Sequence, residues 1–192
     1  TQEVTDSGSI NLSIDQTIAP GDSAERIVTS SCGACNGDGL DELTEGLPSF
    51  NGTHGRFSHE FIHEQLVQMK TNQTGFNETG GMHAAALWSP SSNTQYLSED
   101  IGRHNAVDKA IGKALLDGES FDSQFLLLSG RCGWDIVAKA ARAGIGTIVS
   151  IGACSTLAAD TARLLGMRIF SFMKSHSNVG IGLHSHIENN NP

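Results

Sequence analysis

Cys32 and Cys35 stand with two residues between them in Ser31-Cys32-Gly33-Ala34-Cys35-Asn36-Gly37, so the two thiols can reach each other. A free thiol titrates near ~8.5 and only its thiolate is nucleophilic, so the pair suits sulfur or redox chemistry on a loop kept mobile by small residues and glycine. Half of a zinc site is the competing reading, but zinc needs further ligands and no second C-x-x-C occurs. A thioredoxin-like role needs the motif to open a helix, and Asn36-Gly37-Asp38-Gly39 is a poor helix start. Cys132 and Cys154 are expected at helix starts inside a packed sheet region. A macromolecular sulfur donor could hardly reach them there, although a helix N-terminus can lower a thiol pKa. Four cysteines are too few for a disulfide framework, which points to a reducing cytoplasm.

His59-Glu60-Phe61-Ile62-His63 matches H-E-x-x-H, which on a helix sets two imidazoles one turn apart with Glu60 as the base of a zinc-dependent hydrolase. No third-ligand motif follows, and a solvated helix face is the alternative. The segment 99–109 packs charged groups and a histidine around a helix start. Acids there suit a capped, salt-bridged surface, while Arg103 and His104 beside a positive helix end suit phosphate. Ser129, Gly130 and Arg131 follow a buried strand, so Arg131 should project at the sheet's carboxyl edge or tie to Asp135. Gly80 and Gly81 before His83 permit close approach of backbone to a ligand. Phe172, Met173, Lys174, Ser175, His176 and Ser177 bring an aromatic, a cation and hydroxyls to the end of the last expected strand, which fits a base and phosphates.

These residues need a scaffold, and 192 residues with 38% hydrophobic side chains make room for one domain with a real core. Twelve basic against 21 acidic side chains give a net charge of -9, which repels a phosphate backbone and argues against nucleic acid as a partner. No stretch approaches the ~20 apolar residues of a membrane span, and the start lacks the pattern of a signal peptide. The first residue is not Met, so residues missing upstream are expected.

Residues 1–25 form an N-terminal extension with an edge strand and a loop, and a short strand at 24–29 leads into the C-x-x-C loop at 31–39. A helix starts near Ser58, carries Phe61, Ile62, Leu66 and Met69 on its apolar face, and ends before Gly75. Strands at 83–88 and 94–97 make a hairpin. A helix from about 105 puts Ala106, Val107, Ala110, Ile111, Ala114 and Leu115 on one stripe. Then strand 125–128, helix 134–143, strand 147–151, helix 155–165 and strand 168–172 alternate, which argues for a parallel sheet covered on both faces. Ligands sit at the carboxyl ends of such strands.

Taken together the chain resembles the FdhD/NarQ family. The resemblance rests on Ser31-Cys32-Gly33-Ala34-Cys35, on 79–87 (TGGMHAAAL), on 99–112 (EDIGRHNAVDKAIG), on Ser129-Gly130-Arg131 with 135–140 (DIVAKA), on Ala143-Gly144-Ile145 and on 152–158 (GACSTLA). It covers a domain at 26–180 and leaves 181–192 as a tail. It implies a three-layer α/β/α fold like that of cytidine deaminases, with a mixed sheet and a parallel βαβαβ C-terminal part, and a homodimer. It also implies a cytoplasmic sulfurtransferase that takes sulfur from a cysteine desulfurase and passes it to the bis-molybdopterin guanine dinucleotide molybdenum cofactor for formate dehydrogenase. The family pattern assigns the persulfide to Cys32, with Cys35 beside it, and a GDP-like nucleotide site to 172–177. Where the family tends to have Pro this chain has Cys154, and where it tends to have Tyr-Thr this chain has Gly180-Ile181. A chaperone that only holds the cofactor is the non-catalytic alternative. A deaminase needs H-x-E and P-C-x-x-C. Here the matching stretches read His104-Asn105-Ala106 and Arg131-Cys132-Gly133-Trp134-Asp135, so neither zinc nor deamination is expected.

Overall fold

The computed structural model of the chain describes residues 2–4, 10–12, 40–121 and 123–182. In chain order the elements are β1 (Gln2–Val4), β2 (Ile10–Leu12), α1 (Leu40–Thr44), α2 (His59–Thr71), α3 (Thr74–Thr79), β3 (His83–Ser89) and β4 (Thr94–Asp100). There follow α4 (Arg103–Leu116), β5 (Phe125–Leu128), α5 (Trp134–Ala143), β6 (Thr147–Ser150), α6 (Thr156–Leu164), β7 (Arg168–Ser171) and β8 (Val179–Gly182). Every position of β5, β6 and β7 is buried, so these strands need cover on both faces, and the intervening helices provide it on one of them.

Six strands form one sheet in the order β4-β3-β5-β6-β7-β8, while β1 and β2 pair as a separate antiparallel ribbon. β5, β6 and β7 run parallel, and β3, β4 and β8 join antiparallel. Successive residues of a strand face opposite sides. Leu126, Leu128, Ile148 and Ile169 pack with α4, α5 and α6, whereas Phe125, Leu127, Val149 and Phe170 pack with Ile62, Leu66 and Met69 of α2. The result is the three-layer α/β/α architecture with a mixed sheet that the sequence implies. Trp88 stacks on Phe125 at 5.1 Å between centroids and meets Phe57 and Phe61 edge-on, sealing the α2 side.

α3 is an element that the sequence did not suggest: Glu99 of β4 accepts hydrogen bonds from Gly75 N (2.9 Å) and Phe76 N (2.8 Å) and so caps it from 24 residues away. Two local expectations are corrected. Leu115 does not join the buried stripe of α4; it is 57% exposed, since the stripe at that turn ends on Ala114. The last strand is not β7. β8 pairs with it from Ser171↔Val179 to Arg168↔Gly182, so residue 181, where a tail was expected, lies within a strand. Gly182 has φ +100, and a Cβ there would collide with Met167 O, so the glycine is what lets this edge strand close on β7. Among the described residues no helix is long and apolar enough to cross a membrane.

Candidate functional site

The start of β3 and the ends of β4, β5, β6 and β7 all fall on one edge of the sheet. The register shows this: His83 is opposite Asp100, Ala85 opposite Leu128, Leu128 opposite Ser150, and Val149 opposite Phe170. Gly80, Gly81, His83, Arg103, His104, Ser129, Gly130, Arg131 and the 172–177 segment therefore gather on this carboxyl edge, where parallel sheets place ligands.

A cavity of about 420 Å³ opens there, within the range of small-molecule sites. Its polar lining is Lys70, Gln73, Gly80, Gly81, His83 and Ser129, and Phe76, Met82 and Ile151 supply apolar wall. Gly80 sits at φ +67 as the left-handed C-cap of α3, which turns the chain into the cavity rim. Ser129 is locked onto β3: its Oγ accepts from Ala84 N at 2.8 Å, and its N donates to Ala84 O at 3.0 Å. Beneath it, Ser150 Oγ donates to Gly130 O at 2.7 Å, and Gly152 N donates to the same oxygen at 3.2 Å. A Cβ at Gly152 would approach Gly130 O to 2.8 Å, so only glycine lets the two strand-exit loops touch. A Cβ at Gly130 would come within 3.3 Å of His83 Nδ1, so His83 and the β5 exit are packed against each other.

Arg103 and His104 open α4, one step along the same edge. Asp100 organises this corner. It accepts from Gly102 N (2.9 Å), Asn105 Nδ2 (3.0 Å) and Lys109 Nζ (2.7 Å), with Lys109 first among the causes that hold its carboxyl down to about 2. His104 Nε2 meets Asp135 Oδ2 at the start of α5. Asp135 holds His104 and not Arg131, and Arg131 is exposed. Among the described residues Arg103 Nε and Trp134 Nε1 are buried without a hydrogen-bond partner, which leaves two donors in this corner.

The 172–177 segment is a connection between β7 and β8, not a terminal exit. Phe172 adopts φ +51 and is 47% exposed, and its N donates to Gly152 O at 3.2 Å. Met173 is 3% exposed and belongs to the core on the α2 side, so it is a packing residue rather than a ligand contact. Lys174, Ser175, His176 and Ser177 are exposed, and none of the six lines the 420 Å³ cavity. His59 is buried and not on a solvated face. Its Nε2 donates to Lys174 O at 2.7 Å and its Nδ1 accepts from Asn178 Nδ2 at 3.2 Å, so both ring nitrogens serve to moor the connection. Glu60 is exposed, and among the described residues no group of three metal-ligating side chains assembles.

Cys32 and Cys35 lie outside the described residues. The sequence reading singled out Cys132 and Cys154 separately but missed that they pair. The parallel register Leu128↔Ser150 continues four residues on as an isolated bridge Cys132↔Cys154. That each cysteine lies four residues beyond its strand was the signal. The pairing with Cys132 holds the Cys154 thiol below its ordinary range, while the same pairing and burial push Cys132 well up.

The FdhD/NarQ family model matches residues 2–184 of the chain. A Sulfurisphaera tokodaii protein named sulfur carrier protein FdhD is 41% identical over 154 residues, which cover 80% of this chain and 58% of that one. A protein of the same name from Thermoplasma volcanium is 39% identical over 156 residues, covering 81% and 56%, and one from Streptomyces coelicolor is 36% identical over 152 residues, covering 78% and 54%. The chain thus spans under three-fifths of the length of these relatives. A solved structure of a protein assigned as a formate dehydrogenase accessory protein, from Desulfotalea psychrophila, superposes with a TM-score of 0.65 at 24% identity over 77% of this chain and 62% of that one. That likeness establishes the fold.

Proposed function

We propose that this chain, which belongs to the FdhD/NarQ family, is a sulfurtransferase that carries sulfur as a persulfide on Cys32 and delivers it to the bis-molybdopterin guanine dinucleotide molybdenum cofactor. The observation that carries the reading is the cavity at the carboxyl edge, where Gly80, Gly81, His83 and Ser129 come together. Its volume of about 420 Å³ suits one nucleotide end of that substrate rather than the whole of it. Arg103, Arg131 and Lys174 bring cations to the same edge, as phosphates require. The name of the relatives supports sulfur carriage.

In this reading the Cys32 thiolate attacks the outer sulfur of a persulfide on a cysteine desulfurase, the donor's S–S bond breaks, and the desulfurase cysteine leaves as a thiolate. Cys35 then attacks Cys32 Sγ, the bond from Cys32 Sγ to the outer sulfur breaks, that sulfur leaves at the sulfide level for the cofactor, and a dithiol reductant restores the Cys32–Cys35 pair. Formate dehydrogenase receives the sulfurated cofactor, the working form is a homodimer, and the compartment is the reducing cytoplasm. The exposed Leu115 and Leu116 at the end of α4 suit a self-contact. The hydrolase alternative is disfavoured by His59, whose two ring nitrogens are already engaged.

The test is mass spectrometry after incubation with a cysteine desulfurase and cysteine. One sulfur is expected on the Cys32 peptide and none in Cys32→Ser. A Cys32→Ser protein that still activates a formate dehydrogenase would sink the assignment, and cofactor binding without covalent sulfur would favour the chaperone alternative.

A further inference from the structure

Cys132 and Cys154 are brought side by side by the same parallel register that pairs β5 with β6. Two backbone hydrogen bonds fix the bridge, Cys132 N to Ala153 O at 2.9 Å and Ser155 N to Cys132 O at 3.1 Å. Neighbouring strands lie about 4.8 Å apart, inside the roughly 4.4–6.8 Å between Cα atoms that a disulfide accepts. Among the described residues neither thiol is in a disulfide. Their surroundings differ in the way an attacking and a resolving thiol should differ. Cys154 is half-buried and immediately precedes Ser155, the N-cap of α6, so the helix's positive end lies next to it. Cys132 is 1% exposed and points into the core shared by α5 and the sheet.

We propose that Cys154 and Cys132 form a second thiol station, in which Cys154 accepts sulfane sulfur from a small hydropersulfide or polysulfide and Cys132 resolves it. The Cys154 thiolate attacks the terminal sulfur of R–S–SH, the S–S bond of the donor breaks, and R–S⁻ leaves; no oxidant is needed. Cys132 then passes its proton to the outer sulfur of the persulfide and, as a thiolate, attacks Cys154 Sγ. A Cys132–Cys154 disulfide forms, the bond from Cys154 Sγ to the outer sulfur breaks, and that sulfur leaves with the Cys132 proton as hydrogen sulfide. The two thiols give up two electrons, which reduce the sulfane sulfur to sulfide, and a dithiol reductant restores the pair. The half-buried position of Cys154 restricts the donor to small molecules, which separates this station from any that must dock a protein. The neighbouring Cys132 thiol first, and then the positive charge of Arg163, favour the Cys154 thiolate.

The inference goes beyond the proposed function because it uses neither Cys32 nor Cys35. Its test uses the full chain carrying Cys32→Ser and Cys35→Ser, treated with sodium tetrasulfide. Adding Cys132→Ala should trap one extra sulfur on the Cys154 peptide. With Cys132 intact, hydrogen sulfide should be released and the 132 and 154 peptides should become disulfide-linked. Adding Cys154→Ala should abolish both. Sulfide release unchanged by Cys154→Ala, or no sulfur and no linkage in the chain with both thiols intact, would overturn the proposal. Because that last measurement needs no core substitution, it stands even where Cys132→Ala fails to fold. In the unaltered chain, peptide mapping separates the two readings. Sulfur on Cys32 with no linkage of the 132 and 154 peptides removes this station, and linkage of those two peptides with no sulfur on Cys32 removes the carrier role of Cys32.

Discussion

His104 at the first turn of α4 and Asp135 at the first turn of α5 are joined directly, Nε2 to Oδ2, across the corner where the carboxyl edge meets the helices. Their side chains are only 20% and 11% exposed, so the contact is not a surface ion pair of the weak kind. Removing one partner leaves the other polar group partly desolvated and unpaired. Asp135→Ala and His104→Ala should each destabilise by about 1–3 kcal/mol in urea unfolding, and the double variant should cost less than their sum. Strict additivity would show that the contact contributes nothing.

Glu119 predicts an acid limb. Its carboxylate accepts from Ser89 Oγ at 2.5 Å, Ser91 Oγ at 2.6 Å and Tyr96 OH at 3.0 Å, tying the β3–β4 turn to the end of α4. The Ser89 hydroxyl first, then its neighbours, lowers the folded carboxyl from 4.5 to about 2. A depressed folded value means stability that is full above the unfolded value and lost as pH falls from near 4.5 towards about 2. Asp100, lowered to about 2, acts in the same window. Unfolding free energy followed down through this range should fall less steeply in Glu119→Gln than in the unaltered chain. Identical slopes would refute the role given to Glu119.

The alternation from β5 to β7 was legible because continuous apolar runs separated by helix-length segments leave a parallel sheet as the economical burial. Ser58 was legible as a helix start through its capping hydroxyl, which accepts from Phe61 N at 3.1 Å. α3 was not, since its cap is Glu99, a residue of another element that local periodicity cannot supply. β8 was hidden by glycine at 180 and 182 and by its edge position, where pairing with β7 alone decides the conformation. At the site, Gly80, Gly81, His83 and Ser129, which the sequence offers as cofactor contacts, line one cavity at the carboxyl edge. It misread Met173, because a residue just beyond a buried strand can continue the core as readily as it can face a ligand.

His59 and Glu60 separate a structural from a catalytic reading of H-E-x-x-H. His59 bridges Lys174 O and Asn178 Nδ2 from a buried position, so His59→Ala should cost about 1–3 kcal/mol in thermal or urea unfolding. Glu60 is exposed, and Glu60→Gln should change stability by less than about 0.5 kcal/mol and leave sulfur transfer intact. One zinc per chain in elemental analysis, lost on His63→Ala, would restore the hydrolase reading.

The cavity itself makes the sharpest functional prediction, that a guanine nucleotide binds at the carboxyl edge. Backbone N–H groups and cations hold phosphate without a basic surface overall, which a chain of net charge -9 does not offer. Lys70, Gln73 and Ser129 place a cation, an amide and a hydroxyl around apolar Phe76 and Met82, the mixture that a base and ribose need. Calorimetry with GDP and ADP should give heat for GDP and weaker or no heat for ADP. Gly130→Ala forces a methyl group to within 3.3 Å of His83 Nδ1 and should displace that ring from the cavity wall. Loss of one hydrogen bond of roughly 1.4 kcal/mol would raise the GDP Kd about tenfold. Met173→Leu, a volume-conserving change in the core, should leave GDP affinity unchanged. Equal heats for the two nucleotides would remove base recognition. A GDP affinity indifferent to Gly130→Ala would move the nucleotide away from His83, toward the exposed Lys174 to Ser177 turn.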